Sequence, residues 1–167
     1  MEIERKWMVE GWPQADLDLP LVKEQKMRQG YLHALSPIVR IREEAAAGGD
    51  TAYILCIKSA GLLVREEVEV KIPPEKFKRL EKVIGLPLIE KEQRVYKLPD
   101  GLHLEVNHVD EGLPTEFWYA EIEYNSEEQA RGWTPQDAQL AAYLGEDVTE
   151  QPGQSMAAYW LQTRHPS

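Results

Sequence analysis

The chain has 167 residues, 43% of them hydrophobic and 29% charged, with a formal net charge of -10. That is one domain's length with enough apolar content for a sizeable core, and the acidity excludes broad binding to duplex DNA or to an anionic membrane surface. The single cysteine, Cys56, excludes an intrachain disulfide and points to a reducing compartment. The chain has no apolar run of about 18 residues. It also has no basic-then-apolar leader after Met1, so the expectation is a cytoplasmic protein with no membrane span and no secretory signal.

In chain order the pattern is mostly strand. Residues 1–10 alternate, with Ile3, Arg5, Trp7 and Val9 on one parity and Glu2, Glu4 and Lys6 on the other. Trp12 to Pro20 reads as a loop. Residues 23–35 form a second strand, ended by the turn at Ser36-Pro37. Residues 38–45 follow with Arg40 and Arg42 on one face, then a hairpin turn at Gly48-Gly49. Residues 51–59, ending near Lys58, make a fourth strand in which Cys56 reads as packing between Leu55 and Ile57. Residues 62–72 make a fifth, with Arg65, Glu67, Glu69 and Lys71 on one parity.

Pro73-Pro74 stops the sheet and opens a helix over 75–84, closed by Gly85. Strands are expected at 87–98, 102–109 and 117–125, the first two joined at Asp100-Gly101. The remainder reads as helix at 127–131, 135–144 and 155–163. His33, His103, His108 and His165 lack zinc spacing. Trp7, Trp12, Trp118, Trp133 and Trp160 are too scattered for a nucleic-acid stacking platform and read as packing.

Eight strands joined mostly by short turns imply an α+β protein dominated by β. The expected form is a single domain over 1–167: an eight-stranded antiparallel closed tunnel barrel with a polar, charged lumen and helices packed outside. Closure is favoured because it removes the sheet edges. The polar parity carries Glu2, Glu4, Glu67, Glu69, Glu105, Glu121 and Glu123, with Lys6, Arg40, Arg42, Lys58, Arg65, Lys71 and Lys91. Such a lumen is costly unless its charges are compensated. Same-sign neighbours repel, so Arg40-x-Arg42 calls for an anion. Glu2-x-Glu4, Glu67-x-Glu69 and Glu121-x-Glu123 call for a divalent cation. A metal complex of a polyphosphate satisfies both, with Arg suited to bidentate phosphate contact.

Glu2-x-Glu4-x-Lys6 resembles the E-x-E-x-K signature of the CYTH superfamily, the triphosphate tunnel metalloenzymes. The resemblance continues in order through Gln29-Gly30-Tyr31-Leu32, Arg40-x-Arg42, Lys58, Arg65-x-Glu67-x-Glu69, Lys91, Glu105 and Glu121-x-Glu123, and spans nearly the whole chain. It implies metal-dependent hydrolysis of a small triphosphate, most of all inorganic tripolyphosphate, with Mg²⁺ or Mn²⁺. It also implies triphosphate contacts from Lys6, Tyr31, Arg40, Arg42, Lys58, Arg65 and Lys91. The implied metal ligands are Glu2, Glu4, Glu67, Glu69, Glu121 and Glu123, and the implied catalytic set is Glu4, Lys91, Glu121 and Glu123.

The sequence departs from the family pattern at Gln93, where a basic residue is common and where Arg94 has the wrong parity, at Asn107 in place of Asp, and at Gln154 in place of Tyr. Thiamine triphosphatase, class IV adenylate cyclase and an inactive polyphosphate- or nucleotide-binding module remain as alternatives. The expected partner is the small triphosphate, with no nucleic acid and no membrane; a homodimer is left open.

Overall fold

The computed structural model describes residues 1–165, two short of the single-domain reading over 1–167. Its strands are β1 (Glu2–Met8), β2 (Leu21–His33), β3 (Ile38–Ala46), β4 (Thr51–Lys58), β5 (Val64–Arg65), β6 (Glu67–Lys71), β7 (Ile89–Lys97), β8 (His103–Val109) and β9 (Phe117–Glu123). They form one antiparallel sheet in the order β5-β1-β9-β8-β7-β2-β3-β4-β6.

The strand expected over 62–72 is two strands, so the count is nine rather than eight. β5 pairs with β1 through Glu2↔Arg65 and Ile3↔Val64, while β6 pairs with β4 from Lys58↔Glu67 to Ile54↔Lys71. The chain crosses between these two partners at Glu66, and that crossing brings the ends of the sheet together. Ser59 holds the crossing point. Its N–H donates to the Glu66 carbonyl at 3.0 Å, and its hydroxyl accepts from the Glu66 N–H at 2.9 Å. Gly61 makes the tight approach, since a Cβ there would lie 2.1 Å from the Val64 carbonyl oxygen at a φ of 143°.

The helix opened by Pro73-Pro74 is α1 (Pro74–Ile84), with proline at its first positions and Gly85 at φ 68° closing it. α2 (Glu127–Gly132) is capped by the Ser126 hydroxyl, and α3 (Met156–Arg164) by that of Ser155. The helix expected over 135–144 shrinks to a 3-10 turn at Pro135–Ala138, because Gln139 turns left-handed at φ 58°. A further 3-10 turn, Ala15–Leu17, sits in the expected loop.

The apolar parity of the strands builds two clusters outside the barrel. Ile3, Trp7, Leu104, Val106 and Ile122 pack with Trp133, Leu140 and Leu144. Ile41, Phe77, Ile89 and Trp160 form the second, under α1 and α3. Gly30 allows the latter approach, since a Cβ there would meet the Leu88 side chain at 2.5 Å and Trp160 at 3.3 Å. Arg5 is the charge on the apolar face of β1. Its guanidinium donates to the carbonyls of Ala130 and Trp133, at 3.1 and 2.6 Å, and to Asp147 at 2.7 Å.

α1 and α2 lie outside as expected, whereas α3 starts at the barrel interior, where Met156 and Ala157 line its cavity. A buried clamp holds its far end. Arg164 donates to both carboxylate oxygens of Asp110, at 2.7 and 3.0 Å, and also to the carbonyls of Pro87 and Leu88; the Tyr159 hydroxyl donates to Asp110 as well. Burial opposes ionisation of Asp110, but the hydrogen bonds from Arg164 and Tyr159 prevail and hold its carboxyl below the usual Asp range.

A carboxyl depressed in the folded state stabilises above the unfolded value, about 3.9, and that stability is lost as pH falls through the folded value. Asp110→Asn should cost roughly 3 kcal/mol, a fall in Tm of about 6–12 °C, at neutral pH. Denaturation followed across pH should show the gap between wild type and variant narrowing below about pH 4.

Candidate active site

The barrel encloses a cavity of about 420 Å³. β1 supplies Glu2, Glu4 and Lys6; β2 supplies Lys23, Gln25, Met27 and Tyr31; β3 supplies Arg40, Arg42 and Glu44. Lys58, Arg65, Glu67 and Glu69 come from β4 to β6, and Lys91, Gln93, Glu105, Tyr119, Glu121 and Glu123 from β7 to β9. All the residues that the sequence nominates as triphosphate or metal contacts therefore face one space. Lys71 does not: it has the lumen parity, but it lies at the far end of β6 and is exposed.

Gln25, Glu44 and Tyr119 share the inward parity of their strands and were legible from it. Thr149, Gln151 and Gln154 enter the lining from an irregular segment with no periodicity to betray it.

Part of the lumen is internally compensated. Glu2 meets Lys58 at 3.4 Å and Arg65 at 3.1 Å, Glu67 meets Lys58 at 3.1 Å, and Glu4 meets Arg65 at 3.6 Å. Arg42 is held by Glu44 at 2.6 Å. Glu2, Glu4, Glu67 and Arg42 thus find opposite charges beside them and do not by themselves need a ligand for neutrality, whereas Glu69, Glu121, Glu123 and Arg40 have no ion pair among the described residues. Burial works against ionisation of Glu67, but its contacts with Glu2 and Lys58 bring its carboxyl below the ordinary value.

The other part is not compensated. Among the described residues, Lys6, Arg40 and Lys91 have no carboxylate at ion-pair distance. Lys6 donates from Nζ to the Gln154 carbonyl and stands 4.3 Å over the Tyr119 ring. Lys91 donates to the Tyr119 hydroxyl at 2.9 Å. The Arg40 Nε is buried without an acceptor. Burial, and then the positive charge of Arg42, holds the Lys91 ammonium well below its ordinary value; burial also lowers Lys6. An anion in the cavity would restore both.

The carboxylates opposite them are crowded. Burial, Glu121 and Glu2 push Glu4 well up. Burial also opposes ionisation of Glu121, but a hydrogen bond from Glu4 and the ammoniums of Lys6 and Lys91 outweigh it and hold Glu121 down. The two carboxyls are pushed in opposite directions, which makes Glu4 the more readily protonated of the pair. Glu105 is pushed up to about 7 by burial and by Glu121, and Glu123 is raised by burial and by Glu2. Glu105 is a titratable group at the neutral range to which the sequence reading gave a lumen position but no role.

Among the described residues, the grouping of three donor atoms within 4.8 Å of one another is Cys56, Glu67 and Glu69. Cys56 is therefore not simple packing between Leu55 and Ile57. It lies on the polar parity, opposite Arg40 on β3 and Glu69 on β6, with its thiol pushed up by burial. Gln93, not Arg94, faces inward. Gln25, Gln93 and Asn107 form a buried amide ladder at 2.8 and 3.1 Å, and Arg94 lies outside, 4.1 Å from the Trp12 ring.

No protein-family profile matches the chain. It is 33% identical over 150 residues to an inorganic triphosphatase of Nitrosomonas europaea, covering 89% of each chain. The crystal structure of an inorganic triphosphatase superposes with a TM-score of 0.62 at 28% identity, over 95% of this chain and 93% of that one. A Pyrococcus horikoshii protein (TM-score 0.63, 17% identity, 98% of this chain and 100% of that one) shares the fold. So does an adenylyl cyclase candidate from Hippeastrum with a dominant triphosphatase activity (TM-score 0.60, 19% identity, 85% and 87%). The identity and the coverage together establish that the chain belongs to the family of the Nitrosomonas europaea inorganic triphosphatase.

Proposed function

We propose that the protein is a metal-dependent triphosphatase of the CYTH superfamily, the triphosphate tunnel metalloenzymes, and that it hydrolyses inorganic tripolyphosphate. The observation that carries this reading is the set of three cations, half-buried Lys6 and buried Arg40 and Lys91, that share one cavity and lack carboxylate partners among the described residues. Desolvated cations aimed into a common space favour a multiply charged anion. The substrate of the Nitrosomonas europaea relative and the scarcity of apolar lining favour an inorganic polyanion over a nucleotide. The lone cysteine fits a cytoplasmic setting.

The donor set suits Mg²⁺ or Mn²⁺: hard carboxylate oxygens, with Glu4 and Glu123 raised by burial and then by neighbouring carboxylates. Glu4, Glu121 and Glu123, with Glu2, Glu67 and Glu69 around them, would hold it. When bound, the ion would neutralise phosphate oxygens and lower the pKa of a bound water.

The chain's own residues do the rest. Lys6, Arg40 and Lys91 hold phosphate oxygens that gain charge as the bridging bond breaks. Tyr119 orients Lys91 through its hydroxyl, while Arg42, Lys58 and Arg65 can exchange a carboxylate partner for a phosphate oxygen. Tyr31 offers a hydroxyl on the same wall. Positive charge beside Glu4 would oppose the upward shift of its carboxyl and favour its ionised form. Glu105, half-protonated near pH 7, can hold a proton released in the reaction.

Phosphate release from tripolyphosphate should require Mg²⁺ or Mn²⁺ and vanish on exhaustive chelation; undiminished turnover in chelator overturns the metal requirement. Independently of activity, tripolyphosphate with metal at a hundredfold over Kd should stabilise the fold by about 2.7 kcal/mol. That corresponds to about 5–11 °C in Tm, and orthophosphate should do far less.

Arg40→Met and Lys91→Met should each weaken tripolyphosphate binding by about 1.5–3 kcal/mol, roughly 10- to 150-fold, without lowering the Tm of the free protein. Glu4→Gln and Glu123→Gln should fold, keep most of their affinity for the polyanion and lose turnover. Normal turnover in both would move the metal site to Glu67 and Glu69.

A further inference from the structure

The sheet closes through the chain crossing at Glu66, and this leaves one strand edge without a partner. β6 pairs with β4 alone; β5, not β6, reaches β1. The direction of its backbone groups follows from the ladder. The Ile72 N–H donates to the Tyr53 carbonyl at 2.9 Å and the Ser59 N–H to the Glu66 carbonyl at 3.0 Å. With Val70 opposite Leu55 and Val68 opposite Ile57, the even positions of β6 point their N–H and C=O groups at β4. The N–H and C=O groups of Glu67, Glu69 and Lys71 therefore point away from the sheet. Among the described residues nothing pairs with them.

The same stretch carries exposed apolar side chains. On the outer face, Val68 is 58% exposed, Val70 51% and Ile57, beside Val68, 42%. An extended edge with free hydrogen-bonding groups and exposed valines is a template for another strand.

We infer that β6 is the interface of a homodimer, in which two copies pair antiparallel edge to edge about a two-fold axis through Val70. The charges on β6 select this register. With Val70 at the axis, Glu69 of each copy lies opposite Lys71 of the other, twice over by symmetry, and these residues carry the outward-pointing backbone groups that form the new ladder. Val70 then faces its own counterpart, and Val68 faces Ile72, on the apolar side. The alternative register, centred on Glu69, sets two carboxylates directly opposite each other and is disfavoured. Pro73 has no N–H and ends the ladder, so the pairing closes at two copies and does not extend. The residues varied to test the inference stand apart from the proposed chemistry, since neither Val70 nor Lys71 lines the cavity, although their partner Glu69 does.

Sedimentation velocity over a concentration series tests it on the intact protein. The wild type should show a concentration-dependent dimer. Val70→Lys sets two ammoniums together at the axis and Lys71→Glu sets glutamate against Glu69; each should weaken the dimer on the order of tenfold or more, with turnover and the Tm of the dilute, monomeric protein unchanged. Hydrogen exchange on the wild type gives a second reading that needs no variant. Amides of Glu69 and Lys71 should become protected as concentration rises, while those of Val68 and Val70 stay protected throughout. A wild type that is monomeric across the series, a dimer that neither variant disturbs, or Glu69 and Lys71 amides that exchange equally fast at all concentrations would each overturn the inference.

Discussion

The constraint on which this structure depends is that a strand shows every second side chain to the same face. In a barrel that face is largely shielded from bulk water, so most of its charges must be answered from across a space a few side chains wide. Two answers are present in one lumen. Lys58, Arg65 and Arg42 are answered by Glu2, Glu67 and Glu44 on neighbouring strands. Lys6, Arg40 and Lys91 are answered by dipoles at most: a carbonyl of Gln154, the hydroxyl of Tyr119, and for the Arg40 Nε no acceptor. The first arrangement makes the barrel stable when empty. The second leaves it chemically unsaturated toward an anion.

The two sides are coupled through the carboxylates. Glu4 and Glu121 come from adjacent strands whose register sets Glu121 opposite Lys6 and Glu4 opposite Glu123. Burial and its carboxylate neighbours raise Glu4, while Glu4, Lys6 and Lys91 hold Glu121 down against burial. A cation on the carboxylate side would favour the ionised form of Glu4, and an anion on the cationic side would raise the proton affinity of the lysines. Each ligand improves the site for the other, which is the electrostatic reason that a metal–polyphosphate complex suits this cavity better than either ion alone.

The irregular C-terminal segment sets the shape of the space. Residues from Val148 to Ala157 line the cavity, and the Gln154 carbonyl reaches Lys6. This segment is fixed at both ends. Val148 donates its N–H to the Lys6 carbonyl at 2.9 Å, and α3 is tied down by Arg164 on Asp110. A buried ion pair remote from the lumen thereby determines where one wall of the lumen stands.

The alternation along β1, β3, β8 and β9 determined, by itself, which side chains share a face, and hence the charged lumen and nearly all of its candidate residues, since parity is a local property of an extended chain. Parity favoured Gln93 over Arg94 as the inward residue but a bulge could have reversed it, and the structure decides for Gln93. Partnership between strands is not local. That Glu2 is spent on Lys58 and Arg65, and that Cys56 stands beside Glu69, follow from register, which no single strand encodes. The run 62–72 reads as one uninterrupted alternation, and only the need to bridge from β4 to β1 breaks it at Glu66, splitting one strand into two and leaving the far edge of β6 bare. The 135–144 stretch has helical composition, yet the left-handed turn at Gln139 stops it. The remaining decisions belong to the tertiary structure for the same reason: they depend on what a residue meets across space, and the chain's own order does not contain that.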